Sequence, residues 1–438
     1  MDTHEAVTLT KATEEESPDS AAAGWRTAAA SALGLACGPS VLTVMAFGAF
    51  IKPLDREFGW GVPAIALAAS FLSITIMVIS PVQGLLVDRF GGRRVILYSS
   101  PVFALSLMAM YFLPDSLTVF YLAWILIPVC GLGLWPVSYL RLTAGWFERK
   151  LGFALGVANS GIGVGTVLVP ILTAFLIGAF GWRTAFFGLG AFALIAYPVA
   201  YFLLAEPSAR RTAAQAGGDT LRVAATKRVF WLVLGAFLLL GLIGSSIIVH
   251  QIPLLQDAGV SEDVANLVPV ALGVALIVAR IATGWLLDRI RVSLVMAIYL
   301  VGGIVALLLF AAGPNVVTGI LAASLAGLLI GAEFDVLSYL IPRYFGRLAF
   351  GKIYGIAFSV FQIGSAIAAS AVSVSRDAYG SYTPAMLTLS VVCVVCMGLF
   401  LNLGPYRDEG AAEHRAEPPS VPLGPENAIS PRGRYGTS

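Results

Sequence analysis

The sequence carries little charge for its length. Only 12% of its 438 residues are Asp, Glu, Lys or Arg, about half the share that soluble proteins carry. Apolar residues make up 58% of the chain and the mean hydropathy is +0.86, which is more apolar surface than a soluble core of this size can bury. Lipid must cover the excess, so we predict a membrane protein. The net charge of +2 is too small to indicate nucleic acid as a partner, and no cluster of basic and aromatic residues is evident.

Histidine and cysteine are also scarce, which leaves few ligands for a metal site. The chain has 3 histidines and 4 cysteines, and the cysteines Cys37, Cys130, Cys393 and Cys396 all lie in apolar runs. Cys393 and Cys396 have the C-x-x-C spacing, but no second ligand pair or nearby histidine accompanies them, so we interpret them as packing residues. No nucleophile–base pair or H-E-x-x-H motif is evident. We therefore expect neither an enzyme nor a bound cofactor.

Long apolar runs recur along the whole chain. About 20 apolar residues are needed for a helix to cross a bilayer. The pattern predicts an all-α membrane protein with twelve transmembrane helices, at residues 26–51, 62–87, 95–113, 117–142, 150–178, 184–204, 229–252, 264–288, 291–312, 316–341, 350–375 and 382–403.

The predicted spans divide the chain into five parts. These are an N-terminal tail (1–24), a six-helix bundle (25–204), a linker (205–228), a second six-helix bundle (229–403) and a C-terminal tail (404–438). Both tails are polar, and the second is rich in proline, glycine and charge, so we expect them to be disordered.

Basic residues are unevenly distributed between the predicted loops. If both termini lie on one side of the membrane, most basic loop residues lie on that side, which we name the arginine-rich side. They are Arg89, Arg93, Arg94, Arg149, Lys150, Arg210, Arg211, Arg222, Lys227, Arg228, Arg289, Arg291, Arg343, Arg347 and Lys352. The other side has only Lys52, Arg56, Arg183 and Arg376. Positively charged loops stay in the cytoplasm, so we predict a multi-pass protein of the plasma or inner membrane with both termini cytoplasmic.

The two predicted bundles repeat one another. Gly84-x-x-x-Asp88-Arg89 recurs as Gly284-x-x-x-Asp288-Arg289, and Ser138-Tyr139-Leu140 recurs as Ser338-Tyr339-Leu340, both at an offset of 200. The glycines Gly152 and Gly156 recur at an offset of 199, as Gly351 and Gly355. A constant register of this kind indicates a parallel duplication of a six-helix unit. In transporters that are built from a duplication of this kind, the solute site lies between the halves, near the middle of the membrane.

The loop after the second predicted span carries the most specific motif. It reads Gly84-Leu-Leu-Val-Asp88-Arg89-Phe-Gly91-Gly92-Arg93-Arg94. This loop resembles the signature that the major facilitator superfamily has between its second and third helices. The resemblance implies the superfamily's two-bundle fold and a latch that closes the cytoplasmic side, with the second copy at Asp288 weaker because it lacks the glycines. The gating residues predicted here are Gly84, Asp88, Arg89, Gly91, Arg93, Arg94, Arg141, Asp288 and Arg289. The alternative is that the arginines only obey the charge rule.

Two further blocks narrow the resemblance. The fifth predicted span begins with Trp146-Phe147-Glu148-Arg149-Lys150-Leu151-Gly152, and the eleventh with Arg343-Tyr344-Phe345-Gly346. These blocks are similar to those of monocarboxylate transporters and the related oxalate:formate antiporters. Their glycines four residues apart also fit helices that approach closely and slide. They are evidence for the fold more than for the substrate.

Arg280 is the candidate substrate ligand. It lies in the eighth predicted span, about 12 Å from Asp288 along a helix. An arginine inside the bilayer costs roughly 2.5–3.5 kcal/mol on insertion scales, so it must face protein or a watery cavity. Its planar guanidinium can bind a carboxylate with two hydrogen bonds, and in both resembled families an arginine of this helix holds the substrate carboxylate. A structural ion pair is the alternative.

Two acids in the tenth predicted span, Glu333 and Asp335, are the candidates for proton coupling. Burial in an apolar span favours the neutral form of a carboxyl group unless a cation pairs with it. Residues two apart point about 200° from each other, so we expect only one to face the cavity. Glu333 has nearly the depth of Arg280. The other acid can instead pair with the eleventh span or with Arg289.

The chain departs from both resembled families at two positions. Leu276 stands where monocarboxylate transporters of the mammalian type have an acid, and Phe361 stands where the antiporters have a lysine. A single cavity cation favours a monoanion over a dianion. Further candidates for substrate contact are Asn159, Tyr139, Tyr339 and Gln362. His250 could line the entrance or titrate, although an ordinary hydrogen-bonded histidine is the simpler interpretation.

These observations favour proton-linked uptake of a monocarboxylate or similar small organic anion by a functional monomer, with protons and the lipid bilayer as the other partners. Anion exchange and efflux of an amphipathic compound are alternatives within transport. The embedded arginine disfavours cationic drugs as cargo. A transporter-derived sensor is the non-transport alternative, and it would need a signalling domain for which the tails are short.

Overall fold

The computed structural model describes residues 18–207, 218–261, 265 and 267–406. Within these residues the chain forms helices joined by turns and loops, and its only β feature is an isolated bridge between Gly218 and Gly346. The α-helices are α1 (Pro18–Ala36), α2 (Pro39–Leu42), α3 (Phe47–Phe58), α4 (Val62–Phe90), α5 (Gly92–Ala109), α6 (Leu117–Cys130), α7 (Pro136–Ala144), α8 (Leu151–Ala193), α9 (Ala196–Phe202), α10 (Leu221–Thr226), α11 (Arg228–Asp257), α12 (Val268–Leu287), α13 (Val292–Ala311), α14 (Val316–Tyr344), α15 (Phe350–Tyr379) and α16 (Thr383–Leu401).

Ten helical segments of the described chain are long and apolar enough to cross a membrane, against the twelve predicted. The fifth and sixth predicted spans form one segment, Leu151–Phe202, of 52 residues. Gly181 interrupts it with φ 79° and ψ 163°, a conformation that glycine adopts without a steric penalty. The fourth predicted span is broken after Cys130 and continues as α7. Neither α6 nor α7 alone is long enough to be counted among the ten membrane-crossing segments.

The predicted tails and linker lie partly outside the described residues. Residues 1–17, 208–217 and 407–438 are not described. The helix α1 begins at Pro18, inside the predicted tail. The described part of the linker contains α10, and Asp219 donates its backbone N–H to the carbonyl oxygen of Phe345 over 2.7 Å.

The outer surface of the helices is apolar. Side chains such as Val78, Leu105, Phe175 and Val391 are more than half exposed. An apolar surface of this extent is stable only in contact with lipid. Inside, aromatic rings fill the space between helices, as where Phe50 stacks on Phe186 with ring centroids 3.8 Å apart. The fold is therefore apolar on both its inner and outer surfaces, and its few buried charges stand out.

On the side opposite the arginine-rich loops, each copy of the repeat is fastened within itself. Arg183 forms an ion pair with Glu57, near the end of α3. In the second copy Arg376 pairs with Asp257 over 3.1 Å, at the end of α11. Glu57 and Asp257 are 200 positions apart, the offset of the repeat. Both pairs join helices of the same copy, so neither resists a separation of the two copies.

Candidate substrate site and the two latches

Asp88 caps a helix of the opposite copy. It lies in the last turn of α4 and accepts the backbone N–H of Gly351 at 2.9 Å and that of Lys352 at 3.0 Å. These groups belong to the first turn of α15, where backbone donors have no partner within their own helix and the helix dipole favours an anion. Arg141 adds an ion pair at 3.1 Å. We name these contacts the Asp88 latch.

Asp288 makes the corresponding contacts in the second copy. Its carboxylate, at the end of α12, accepts the N–H of Gly152 at 2.7 Å and that of Phe153 at 2.9 Å, in the first turn of α8. We name these contacts the Asp288 latch. The missing loop glycines do not prevent it, because the donors are backbone groups of the other copy. The Asp88 latch has the ion pair with Arg141, whereas the corresponding position of the second copy is Ile341.

Glycines let the latched helices cross at backbone contact. A Cβ placed on Gly84 would lie 1.9 Å from the carbonyl oxygen of Gly351, so no side chain fits there. One turn further along, a Cβ on Gly355 would lie 2.3 Å from the oxygen of Ser80. In the other crossing, a Cβ on Gly156 would lie 2.6 Å from the oxygen of Arg280. The crossings of α4 with α15 and of α8 with α12 thus use the same device.

The remaining predicted gating residues contact their own copy or solvent. Arg93 donates to the carbonyl oxygens of Ala200 and Tyr201, which fixes the loop to the end of α9. The guanidinium of Arg289 stacks 3.8 Å from the ring centroid of Trp285, one turn earlier in the same helix. Arg89 and Arg94 are exposed, and Gly91 has φ 85°, which allows the tight turn that ends α4. The carboxylates, not these arginines, join the two copies.

We expect Gly84→Ala to open the arginine-rich side. The added methyl overlaps the backbone of Gly351, and overpacking typically costs about 1–3 kcal/mol, which would shift a closed–open equilibrium roughly 5- to 150-fold. Leu287 serves as the reporter position, because it is buried and its Cβ would lie 3.0 Å from a Cβ on Gly152 of the other copy.

The measurement is the labelling rate of a cysteine at Leu287 by an impermeant maleimide, in protein without the native cysteines. Gly178→Ala is the matched control, since a Cβ there meets nothing within 4 Å. Equal labelling of Gly84→Ala and its parent would show that the α4–α15 crossing does not hold this side closed.

Arg280 is the centre of a buried polar cluster. Its side chain, on α12, is 4% exposed, and its Nε and Nη1 atoms have no hydrogen-bond partner within the described chain. Glu333 and Asp335 lie on α14, which packs against α12 where a Cβ on Gly331 would lie 2.6 Å from the Cβ of Ala279. Tyr354 on α15 is a further buried polar side chain, within electrostatic range of Arg280 and Asp335. A buried guanidinium with unused donors can bind an anionic group.

The two acids of α14 face different helices. Asp335 is fully buried and its Oδ1 accepts the side-chain amide of Asn159, on α8 of the other copy, at 2.5 Å. Glu333 is buried against α11 of its own copy, where a Cβ on Gly244 would lie 3.2 Å from its Oε1. That oxygen has no hydrogen-bond partner among the described residues. Asp335 therefore links the two copies, whereas Glu333 stays within one.

The other predicted ligands are spread more widely. Tyr139 is buried against Gly34 of α1, Tyr339 lies under the guanidinium of Arg343, and Gln362 is half-buried on α15. Their role as substrate ligands stays a prediction. Tyr354 was missed as a site residue, because the pattern around it was interpreted only as packing. Its position one residue before Gly355, at the helix crossing, was the available signal.

The ordinary interpretation of His250 fits its contacts. Its Nδ1 lies 3.1 Å from the carbonyl oxygen of Ser246 and its Nε2 lies 3.2 Å from Oγ of Ser373.

Phe361, at the position of the antiporter lysine, packs its ring 5.1 Å from that of Phe334. Within the described residues no cluster of three His, Cys, Asp or Glu side chains could hold a metal ion.

The many apolar spans, the buried cation and the close crossings of two repeated halves define a class, the polytopic membrane transporters. The sequence profile of the Major Facilitator Superfamily matches residues 33–369, with a second match over 243–430. The chain belongs to this superfamily. It is therefore a multi-pass membrane transporter and not an enzyme.

Individual relatives agree with this assignment. Monocarboxylate transporter 13 of Bos taurus is 27% identical over 372 residues, which cover 82% of this chain and 84% of that protein. Monocarboxylate transporter 11 of Homo sapiens is 27% identical over 403 residues, covering 87% and 82%. The solved structure of the proton:xylose symporter XylE is similar with a TM-score of 0.69 and 14% identity, covering 87% of this chain and 96% of XylE. This last likeness concerns the fold alone.

Proposed function

We propose that the protein takes up a small organic monoanion by alternating access, and that Arg280 binds the anion's carboxylate. The observation that carries the proposal is the buried guanidinium with unused donors, on a helix that crosses α8 of the other copy and packs against α14, the helix of two buried acids. The relatives named monocarboxylate transporters support the same class of substrate. Tyr139, Tyr339 and Gln362 are proposed as further ligands of the anion, whereas Asn159, also predicted from the sequence, donates its side-chain amide to Asp335.

Charge balance favours one carboxylate over two. Within the described part of the chain, Arg280 is the only lysine or arginine that is buried. One fixed cation in a poorly screened cavity neutralises one carboxylate and leaves a second one bare. Phe361 stands where the oxalate:formate antiporters have a lysine, and it packs among aromatic rings, so this position supplies no second cation. A monocarboxylate is the substrate class that matches this site.

Protons are the proposed driving ion, carried by the acids of α14. Glu333 is the first choice, because it is buried, lies on the helix that packs against the helix of Arg280, and has an oxygen without a partner in the described chain. Substrate binding would take Arg280 away from Glu333 and so favour protonation of that carboxyl group. One proton would then accompany one anion.

We further propose twelve spans, in two six-helix bundles at 25–204 and 229–403. The segment Leu151–Phe202 is about 78 Å long at 1.5 Å per residue, more than twice the hydrocarbon thickness, so the bend at Gly181 supports two crossings. The interrupted segment from Leu117 to Ala144 supplies the other span. The excess of arginine supports cytoplasmic termini in the plasma or inner membrane.

The proposal is tested by uptake of radiolabelled carboxylates into proteoliposomes, with and without an inward proton gradient. We expect a monocarboxylate to accumulate only with the gradient and dicarboxylates to compete poorly. Uptake that needs a trans anion and ignores the gradient would indicate exchange instead. Failure of every carboxylate tested, in protein that is folded, would refute the organic-anion assignment.

A further inference from the structure

A buried hydrogen bond joins the two copies beside Arg280. The side-chain amide of Asn159 on α8 donates to Oδ1 of Asp335 on α14 over 2.5 Å, and both side chains are fully buried. The two residues are 176 positions apart and belong to opposite copies of the repeat. We name this hydrogen bond the clasp. Any movement that separates α8 from α14 must break it.

The clasp lies deeper in the molecule than the latches. Asn159 follows Gly152, which binds Asp288, by seven residues of α8, a distance of about 10 Å along a helix. The latches therefore hold the arginine-rich end of the two crossings, whereas the clasp holds the copies together at the candidate substrate site. Opening the arginine-rich side down to Arg280 requires the latches and the clasp to be broken.

The clasp lies close to the anion site. Gly156, three residues before Asn159, crosses α12 where a Cβ would lie 2.6 Å from the carbonyl oxygen of Arg280. Gly331, four residues before Asp335, crosses the same helix where a Cβ would lie 2.6 Å from the Cβ of Ala279. Glu333 is the other acid of α14. An anion held by Arg280 adds a negative charge near Asp335, and like charges repel strongly where water is excluded.

The strength of the clasp depends on the charge of its acceptor. A hydrogen bond to an ionised acceptor is roughly twice as strong as one between neutral groups, so displacing or neutralising the carboxylate of Asp335 weakens it. Oδ2 of Asp335 and Oδ1 of Asn159 have no hydrogen-bond partner among the described residues. No second hydrogen bond therefore holds either group in place once the clasp breaks.

We propose that the clasp transmits anion binding at Arg280 to the separation of the two copies, which makes Asn159 a positioning residue of the transport cycle and not an anion ligand. This inference rests on the proposed function. It assigns Asp335 to opening and leaves the transported proton to Glu333. A merely structural hydrogen bond would stabilise the fold without responding to the anion.

The test measures opening with the cysteine reporter at Leu287, with and without the anion. Asn159→Leu removes the donor and keeps a side chain of similar size. Without substrate we expect its labelling to rise about tenfold over the parent, and the anion to add less than about 1.5-fold, whereas the parent responds clearly. The affinity for the anion, measured by binding to purified protein, should stay within about threefold, because Arg280 is intact.

Two further variants separate the clasp from general destabilisation. Thr173→Val is the matched control on the same helix, since the Thr173 hydroxyl donates only to Val169 of its own helix, and we expect it to behave as the parent. Asp335→Asn retains a carbonyl acceptor but removes the charge. We expect its labelling without substrate to rise above the parent, but less than in Asn159→Leu, and its response to the anion to disappear.

Two outcomes overturn the inference. Parent-like labelling and parent-like anion response in Asn159→Leu would show that the hydrogen bond does not hold the copies together. An affinity at least tenfold weaker in that variant would make Asn159 an anion ligand. Absence of any anion response in the parent refutes the proposed function instead. The comparison without substrate still decides whether the clasp holds the copies closed.

Discussion

Replacing Arg280 with lysine is expected to reduce uptake by one to two orders of magnitude while the protein continues to fold. Lysine keeps the positive charge on the helix that packs against Glu333 and Asp335, but it loses the planar pair of donors that fits a carboxylate. Loss of one charge-assisted hydrogen bond costs about 1.5–3 kcal/mol, which corresponds to roughly 10- to 150-fold in affinity. The expected defect lies in the concentration of anion needed for half-maximal uptake. Initial rates in proteoliposomes over a range of anion concentrations measure it.

Arg376→Lys is the control for this experiment, because Arg376 is exposed and pairs with Asp257 on the opposite side of the molecule. We expect that variant to transport as the parent does. Arg280→Ala should lose transport entirely and also fold less well, since two buried acids are then left without a cation. Normal uptake by both Arg280 variants would remove Arg280 from the substrate site.

Glu333→Gln is expected to abolish accumulation against a gradient and to spare exchange of anion for anion. Glutamine has the size and hydrogen-bonding groups of the protonated acid but cannot release a proton. During exchange the binding site returns across the membrane with an anion bound, so residue 333 never has to release a proton. Net uptake requires that the empty site return after the proton has been released. The ratio of internal to external anion should therefore fall from well above one to about one under an inward proton gradient. Exchange should remain within about threefold of the parent.

The comparison variant is Asp335→Asn. If Asp335 governs opening and not the proton, this variant transports more slowly but reaches the accumulation ratio of the parent. A rate and a final ratio are thus measured in the same time course, and they distinguish a kinetic defect from lost coupling. Retained uphill accumulation in Glu333→Gln, or loss of its exchange activity, would contradict the assignment of the proton to Glu333.

Much of the architecture could be predicted from the sequence because lipid imposes it. A helix must be apolar for about 20 residues to cross the bilayer, so ten of the segments are visible as apolar runs. The superfamily was recognisable from the loop around Asp88, since glycines and charges at fixed positions are rare in apolar sequence. The bend at Gly181 falls in the predicted connection between the fifth and sixth spans. The break after Cys130, inside the fourth predicted span, escaped prediction, because hydropathy averages over residues and does not register a change of backbone direction.

The site was only partly predictable, for a different physical reason. A charged residue in an apolar span is conspicuous, so Arg280, Glu333 and Asp335 could be named from the sequence. Their partners depend on which helices meet, and sequence spacing within one helix does not specify that. The hydrogen bond from Asn159 to Asp335 and the backbone donors that hold Asp288 both come from the other copy of the repeat. A pattern confined to one helix cannot show them.

The paired crossings give this single chain the geometry of a homodimer interface. In an isologous contact, residue i of one subunit meets residue j of the other, and j meets i in return. Here the carbonyl oxygen of Ser80 faces Gly355, and the oxygen of Arg280, 200 positions later, faces Gly156. Because the contact is made by backbone atoms, the side chain at that position does not determine the crossing. One copy can therefore have a serine at this position and the other a buried arginine, while the helices of the two copies cross in the same way.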